Sequence, residues 1–347
     1  MIMNNKTTLN SLIISSVILF AGCQTPPQKS SPPPIEQSIT ESLKEGVLPL
    51  KHAYDFQILD SQTQTPLSVP QLAHALKEFD VVFIGEAHSN HASHLFEMQL
   101  MAELHALRPN QVLSLEMFNR NQQSILDRYL DGEVGEVYLI VKAPAWSNYV
   151  ASYRPLVEYA KQHFIPVIAA NASGDIVRCI GREGEEYLKK LPAEERGNIA
   201  EHAFIDNAEY RKRYMDFLEK ARKLDEEAKE KSYLAQLSRD NTMAESIYHA
   251  WQEYPEAQII HINGSFHSDF YLGTVAALKA RAPQLNIAVI APISQENPSN
   301  PSYSEEDLTK GQYLYLIPEQ PEQYVDRSYR QKNHKAMFEK ASQKQCH

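Results

Sequence analysis

Short apolar runs that end in a polar residue or a glycine constrain this fold more than any other sequence feature. Continuous apolar runs of this length are typical of strands buried on both faces of a sheet. Segments with helical periodicity lie between them, and Ser89 or Asn90 can cap a helix that carries Met98 and Met101 on its apolar face. Such alternation predicts an α/β fold, with a mostly parallel sheet flanked by helices. The predicted strands are 80–86, 111–117, 165–171, 258–264 and 286–290.

The remaining segments divide the chain around this sheet. Residues 54–60 alternate like a strand, and 312–317 is predicted to be a final edge strand with antiparallel pairing. The stretch 176–250 has little strand signal and many charges, which predicts a helical insertion or cap. We therefore expect an α/β domain over 46–320 and a polar tail over 321–347.

The N-terminus predicts a lipid-anchored protein. An apolar run over 12–20 is too short to cross about 30 Å of hydrocarbon as a helix. It is followed by Ala21-Gly22-Cys23, so 1–22 is predicted to be a cleaved lipoprotein signal peptide. Acyl chains on Cys23 would hold the domain on a bilayer through their buried methylenes. The alternatives are a signal that is cleaved without lipidation and a core helix that begins the domain.

The residues after Cys23 indicate a tether and a compartment. The segment 23–45 is rich in Pro, Ser and Gln, a composition that stays extended because it cannot bury a core. Gln24, rather than Asp, follows the cysteine. By its resemblance to the usual lipoprotein sorting signal, this predicts the cell envelope and favours the outer membrane.

The net charge limits the classes of binding partner, and the cysteine content bears on whether the chain has a disulfide. The formal net charge is −10, and removal of Lys6 with the signal peptide makes it −11. An acidic body argues against binding to nucleic acid or anionic lipid, since both need a basic face. Besides Cys23 the chain has Cys179 and Cys346, which could pair in an oxidising compartment. Two widely separated cysteines give no disulfide framework, so we expect both thiols to be free.

Ionisable side chains follow several of the predicted strands. Glu86 and His88 follow the first, Glu116 ends the second, Asn171 ends the third, and His267 follows the fourth. Ligands of open α/β sheets gather at the carboxyl ends of strands, so we expect these side chains to share one rim. Two carboxylates and two imidazoles can bind a divalent metal or activate water.

Each of these residues also has an ordinary structural explanation. A Gly-Glu pair after a strand is commonly a turn followed by a helix-capping acid, and a single loop histidine such as His267 is commonly a hydrogen-bonded structural residue. His91 could line the rim, whereas His94 is expected to be solvated. Ser265 lies near His267, but the Gly-x-Ser-x-Gly elbow of a serine hydrolase does not surround it. The sequence also has no zinc-type Cys-His spacing, no phosphate-binding glycine loop and no c-type haem attachment motif.

Six ordered motifs over residues 50–295 resemble the ChaN family of iron-regulated lipoproteins. That family shares a superfamily with the Tiki proteases and the erythromycin esterases, which have the same Gly-Glu-x-His start and a later histidine. The motifs are Gly85-Glu86-x-His88, Leu115-Glu116-Met117-Phe118, Trp146-x-x-Tyr149-x-x-x-Tyr153-x-Pro155, Ala169-Ala170-Asn171, Gln236-x-x-x-Asp240-x-x-Met243-Ala244 and Asn263-Gly264-x-x-His267.

The resemblance implies a parallel sheet with a smaller helical domain and haem binding for iron acquisition. It implies haem at a homodimer interface, with a tyrosine as iron ligand and a histidine near the propionates, and delivery by a TonB-dependent haem receptor. Phenolate is a hard anionic donor that suits ferric iron. Tyr210 and Tyr214, which lie beside basic residues, are the candidate ligands, and His202 is the candidate propionate partner.

Two other functions stay open. A divalent-metal-dependent hydrolase, of the esterase or protease kind, would use Glu86, His88, Glu116 and His267, which haem ligation by tyrosine does not explain. The second alternative is a structural or adhesive surface lipoprotein. We expect a haem-binding protein rather than an enzyme, with the rim as a second candidate site for a divalent metal.

Overall fold

The computed structural model describes residues 47–144, 146–221, 224–342 and 345–346. The predicted signal peptide, the lipidation site at Cys23 and the linker lie outside these residues. Among the helices that are described, none is both long enough and apolar enough to cross a membrane.

Eight strands form one mixed, mostly parallel sheet in the order β2-β1-β8-β7-β3-β6-β4-β5. The strands from β8 to β5 along this order all pair in parallel, and β1 is antiparallel to both of its neighbours. The predicted α/β fold class is thereby confirmed. The strands are β1 Gln57–Asp60, β2 Pro66–Leu67, β3 Val81–Glu86, β4 Gln111–Asn119, β5 Val167–Asn171, β6 Gln258–Gly264, β7 Ile287–Gln295 and β8 Tyr313–Pro318.

The predicted edge position of the last strand was wrong, and its predicted antiparallel pairing is confirmed on one side only. β8 lies inside the sheet, paired in parallel with β7 and antiparallel with β1. Its residues 314–317 are buried, which an edge strand would not need. On this side the edge of the sheet is formed by β2, Pro66–Leu67, whose two residues, one of them a proline, offer few groups for pairing with another chain.

Helices cover both faces of the sheet, and β3 shows why the core has two layers. Val82 and Ile84 point into the core beneath α1, α2 and α6, whereas Val81 and Phe83 point into the core beneath α10 and α11. Asn90 caps α2, as predicted, because its side chain accepts hydrogen bonds from the backbone amides of residues 92 and 93. The helices are α1 Val69–Leu76, α2 His91–Leu107, α3 Gln123–Leu130, α4 Glu136–Lys142, α5 Tyr149–Ser152, α6 Arg154–Gln162, α7 Gly174–Glu183, α8 Ala193–Arg196, α9 Ala208–Ala221, α10 Glu226–Glu253, α11 Gly273–Arg281 and α12 Arg327–Ser342.

The described part of the predicted insertion, 176–250, contains helices and one 3-10 segment, Glu185–Lys190. Its last helix, α10, has two roles along its length. The first half packs on α9 through Tyr233 and Leu237. The second half lies on the sheet, where Ala244 and Ile247 join the core. α10 therefore connects the helical region to the edge of the sheet where the parallel strands end.

A disulfide joins Cys179 in α7 to Cys346 near the C-terminus, with a Cα–Cα distance of 5.7 Å. The prediction that both thiols are free was wrong. Cys179 is buried in the apolar cluster around α7, and Cys346 packs against the same cluster. The sequence separation gave no hint of the pair because the polar tail returns to the helical region only in the folded chain.

Candidate functional site

The carboxyl ends of the parallel strands bring the predicted rim residues together. Glu86 ends β3 directly opposite Gly264 of β6, and the Gly264 amide donates to Glu116 Oε2 at 2.7 Å. A Cβ on Gly264 would lie 2.6 Å from His88 Nε2 and 3.6 Å from Glu116 Oε2. A side chain at this position would therefore displace the His88 imidazole, which lies over the end of β6.

His267 lies between two carboxylates. Its Nδ1 is 2.7 Å from Asp240 Oδ1, and its Nε2 is 3.5 Å from Glu116 Oε1. Burial lowers the pKa of His267, but the charges and hydrogen bonds of Asp240 and Glu116 outweigh it and raise the pKa to about 10. Burial raises the pKa of Glu116, but His267 outweighs it and lowers the pKa to about 2. His267 is thus an imidazolium with both nitrogens engaged.

Asp240 was not among the predicted site residues, although it stands in one of the motifs. The side chain is buried in α10 and also accepts from Thr274 Oγ1 at 2.9 Å and from the Tyr210 hydroxyl at 2.8 Å. A polar pair at i and i+4 in the middle of a long helix, Gln236 and Asp240, was the signal that could have found it. Glu86, His88, Glu116, Asp240 and His267 are called the rim network below.

The other carboxylate of the rim is held from two sides. Glu86 Oε1 bonds to His88 Nδ1 and accepts from the Tyr153 hydroxyl. Burial lowers the pKa of His88, but its hydrogen bond to Glu86 and the charges of Glu86 and Glu116 together outweigh this effect, so the pKa is raised. Burial, followed by the charge of Glu86, raises the pKa of Tyr153, so that this phenol stays a donor.

Asn171 supports the rim rather than lining it. Its Nδ2 donates to the backbone carbonyl of Glu116 at 3.0 Å, which ties the end of β5 to the end of β4. His94, expected in solvent, is buried, and His91 is exposed and stacks on Tyr54 with ring centroids 5.3 Å apart.

The two candidate tyrosines differ in their surroundings. Tyr210 is buried, and its hydroxyl donates to Asp240 and accepts from Gln236 Nε2 at 2.9 Å. Burial first and the charge of Asp240 second raise the pKa of Tyr210 well above its ordinary value. Tyr214 is half-buried, and its hydroxyl lies 2.9 Å from Ser232 Oγ.

Tyr214 belongs to a group of aromatic side chains that reaches the surface. Its ring centroid is 6.2 Å from that of Phe217 and 5.9 Å from that of Phe266. Phe217 is 52% exposed and Phe266 is 37% exposed. Tyr214, Phe217 and Phe266 are called the aromatic patch below. Beside it is a cavity of about 330 Å³ whose lining includes Tyr210, Arg213, Phe217, Lys220 and Phe266.

One arginine of this region was missed by sequence reasoning. Arg239 is partly buried in α10, and within the residues that the structure describes it forms neither a hydrogen bond nor an ion pair. Burial lowers its pKa, against the opposing effects of Glu116, Asp240 and Tyr214. A guanidinium that is partly desolvated and unpaired is suited to an anionic group of a ligand.

His202 does not join the tyrosines. Its side chain is exposed and lines a different cavity of about 490 Å³, together with Lys189 and Arg196. Its carbonyl accepts a hydrogen bond from Arg281 Nη2 at 2.9 Å.

Comparisons with known proteins identify the family of the chain and relatives of its fold. A family model described as haem-binding uptake, Tiki superfamily, ChaN matches residues 72–278. The structure that describes cofacial haem binding to ChaN of Campylobacter jejuni is 20% identical, covers 78% of this chain and 99% of that chain, and superposes with a TM-score of 0.57. That likeness shows a shared fold.

Two further solved structures are more distant. An erythromycin esterase in its open conformation is 14% identical, covering 69% of this chain and 77% of that chain with a TM-score of 0.43. A protein from Bacillus cereus is 12% identical, covering 83% and 98% with a TM-score of 0.43. No curated protein matches the sequence.

Proposed function

The chain belongs to the ChaN haem-binding uptake family of the Tiki superfamily, and from that membership we propose that it binds haem as its cargo in iron acquisition. The family match carries the proposal, because it spans the strands from β3 to β6, the rim network and the tyrosines of the helical region. The six motifs that predicted haem binding from the sequence all lie within the matched residues.

The aromatic patch fits the ligand. A haem presents a flat apolar face with two carboxylates at one edge, and exposed aromatic rings bind such a face through dispersion and apolar burial. Phe217 and Phe266 are large aromatic side chains left open to solvent, where a soluble surface has little reason to keep them. We place the macrocycle against these two rings.

Tyr214 is the proposed iron ligand. A phenol binds ferric iron as the phenolate, so a nearby carboxylate opposes ligation and a neutral partner tolerates it. The Tyr210 hydroxyl donates to Asp240, whereas that of Tyr214 contacts the Ser232 hydroxyl. Tyr214 also lies within the aromatic patch, and its side chain is less buried than that of Tyr210.

The propionates need cations near the patch. Arg239 is the first candidate because its guanidinium is unpaired among the described residues. Arg213 is the second, with its guanidinium 3.5 Å from the Phe270 ring centroid and long contacts of 3.5 Å to Glu209 and Glu306. His202, the candidate from the sequence, lines another cavity, so we propose the two arginines in its place.

We further propose that two copies of the chain enclose the haem. The Campylobacter ChaN structure describes cofacial haem, and an exposed patch on one chain would bury more of each macrocycle if a second patch faced it. A lipid on Cys23 would keep the dimer at the outer membrane, where a TonB-dependent haem receptor could supply the cargo. A short-range tether of this kind raises the effective concentration of haem-binding sites at the membrane.

Haem titration tests the proposal. Ferric haem added to the full chain in detergent should give a saturable Soret shift with a phenolate-to-iron charge-transfer band. Tyr214→Phe should abolish that band, whereas Tyr210→Phe should keep it. Tyr138→Phe, which alters a tyrosine outside the patch, is the matched control. The absence of a saturable Soret shift in the wild type would contradict haem binding. Loss of the charge-transfer band only in Tyr210→Phe would identify Tyr210, rather than Tyr214, as the iron ligand.

The hydrolase alternative gains no support from the geometry. A general base must be able to accept a proton, and His267 already carries one between Asp240 and Glu116. Hydrolysis at the rim stays a prediction from the sequence.

A further inference from the structure

Behind the rim network lies a second group of ionisable side chains, Glu86, His94 and Glu97, which we call the inner cluster. Their side chains are 1%, 5% and 0% exposed. Glu86 comes from the end of β3, and the other two come from the first two turns of α2. Neither His94 nor Glu97 was among the predicted metal ligands, and Glu86 is the one residue shared with that set.

One oxygen of each carboxylate is held from outside the cluster. Glu86 Oε1 is bonded by His88 and Tyr153. Glu97 Oε1 accepts from Ser93 Oγ at 3.2 Å, and that hydroxyl lies 2.5 Å from the Tyr315 hydroxyl. Outer partners that fix one carboxylate oxygen and leave the other free are the usual support of a metal ligand.

The remaining oxygens converge on one imidazole nitrogen. His94 Nδ1 is 3.0 Å from Glu97 Oε2 and 3.7 Å from Glu86 Oε2. Glu86 Oε2 is buried and has no hydrogen-bond partner in the part of the chain that is described. One ligand atom from each of the three residues lies within 4.8 Å of the others. Ligands at about 2.0–2.1 Å in a tetrahedron are about 3.3 Å apart, so these separations bracket the value that a bound ion requires.

The charge of the cluster is also compatible with a bound cation. Two carboxylates are buried together, and across the described residues neither forms an ion pair with a lysine or an arginine. When no metal is bound, His88 and His94 can each balance one of the two charges as imidazolium ions. A divalent ion held by a neutral His94 balances both carboxylates, so the cluster can also hold a metal ion without leaving a buried charge uncompensated.

We propose that Glu86, His94 and Glu97 form a binding site for one divalent transition-metal ion, of the Zn²⁺ or Mn²⁺ class. One imidazole and two carboxylates are a ligand set that such ions accept. The ion is distinct from the haem iron, because none of the three ligands belongs to the aromatic patch. Since all three ligands are buried, the ion holds α2 against the end of β3 and has a structural role.

Metal binding to the haem-free full chain tests this site. After removal of metal with a chelator, Zn²⁺ is added, the protein is dialysed, and bound zinc is measured by mass spectrometry and its affinity by calorimetry. We expect one zinc per chain, and at least a hundredfold weaker binding in His94→Gln and in Glu97→Gln. His91→Gln, at an exposed position of the same helix, is the matched control and should bind like the wild type.

Two results would overturn the site. One is a wild-type chain that retains no stoichiometric metal, and the other is a pair of folded variants that bind zinc as the wild type does. Because a buried ligand variant could fail to fold, X-ray absorption on the zinc-loaded wild type gives an independent reading. One imidazole with oxygen ligands supports the inner cluster, whereas two imidazoles would place the ion at the rim and contradict the assignment.

Discussion

The rim network and the aromatic patch are neighbours that are built in opposite ways. Tyr210 joins them, since its hydroxyl donates to Asp240 while its ring lies 5.5 Å from that of Phe266. The rim buries most of its charged side chains, all but the half-exposed His88, and pairs them with one another. The patch leaves apolar rings in solvent and a nearby guanidinium unpaired among the described residues.

This difference indicates that the rim network contributes to the stability of the fold, whereas the aromatic patch is open to a ligand. A largely buried network of paired charges resists change because removal of one member leaves another charge uncompensated. An exposed apolar surface contributes little to folding but gains free energy when a partner covers it. The comparison therefore predicts that rim variants change the free energy of unfolding, and that patch variants change haem affinity.

Asp240→Ala is expected to have the largest effect. It removes the partner of His267 Nδ1, of the Tyr210 hydroxyl and of Thr274 Oγ1 at once. We expect a loss of about 3–5 kcal/mol in the free energy of unfolding, measured by denaturant titration. Asp216→Ala, at an exposed carboxylate of α9, should cost less than about 0.5 kcal/mol. Equal costs for the two variants would break the comparison.

Stability should depend on pH through the same network. The pKa of His267 is about 10 in the folded chain and near 6.5 when unfolded, so its contribution is complete below pH 6.5 and is lost as the pH rises toward 10. The pKa of Glu116 is about 2 when folded, so its contribution is complete above pH 4.5 and is lost as the pH falls toward 2. The network is therefore complete between about pH 4.5 and 6.5.

Denaturation at pH 6, 7.5 and 9 measures this loss. One proton released on unfolding gives a slope of up to about 1.4 kcal/mol per pH unit above pH 6.5. His267→Asn should flatten the slope, although His88 and His94, whose pKa values are also raised, will leave a part of it. A wild-type stability that is flat over this range would show that His267 is not held as an imidazolium.

The sequence predicted the sheet well where pattern and burial are local. The apolar run of β3 and the Asn90 cap are read from adjacent residues, so their elements were found close to the observed bounds. The position of β8 depends on β1, a segment far away in the chain, and no local pattern carries that pairing. The disulfide was missed for the same reason, since tertiary packing alone brings Cys346 to α7.

The site shows the same division. Glu86, His88, Glu116 and His267 were found together because strand ends of a parallel sheet share one edge. The groups that complete it, Asp240 and Arg239, come from α10, where charged residues in a helix ordinarily predict a solvated face. Which side of α10 faces the rim is decided by its packing on the sheet, and that packing was not available from the sequence.

Phe217→Ala should weaken haem binding without changing stability. The ring is largely exposed, so its removal costs the folded chain little, but it deletes contact area for the macrocycle. We expect a loss of about 0.5–1.5 kcal/mol, a factor of about 2–10 in Kd, from fluorescence-quenching titrations with haem. Phe164→Ala, at a ring that is 93% exposed outside the patch, is the control. If both variants bind haem equally well, the macrocycle lies elsewhere.

Arg239→Gln should have the smallest effect, and it tests whether this guanidinium, unpaired among the described residues, binds the haem propionates. A partly exposed charge pair contributes about 1 kcal/mol or less, so Kd for haem should rise by up to about fivefold at physiological salt. Haem dimethyl ester, whose propionates carry no charge, supplies the control within the same experiment. The wild type should prefer haem to the ester, and Arg239→Gln should bind the two alike. If the variant keeps the full preference, another cation binds the propionates, and Arg213→Gln is the next variant to measure.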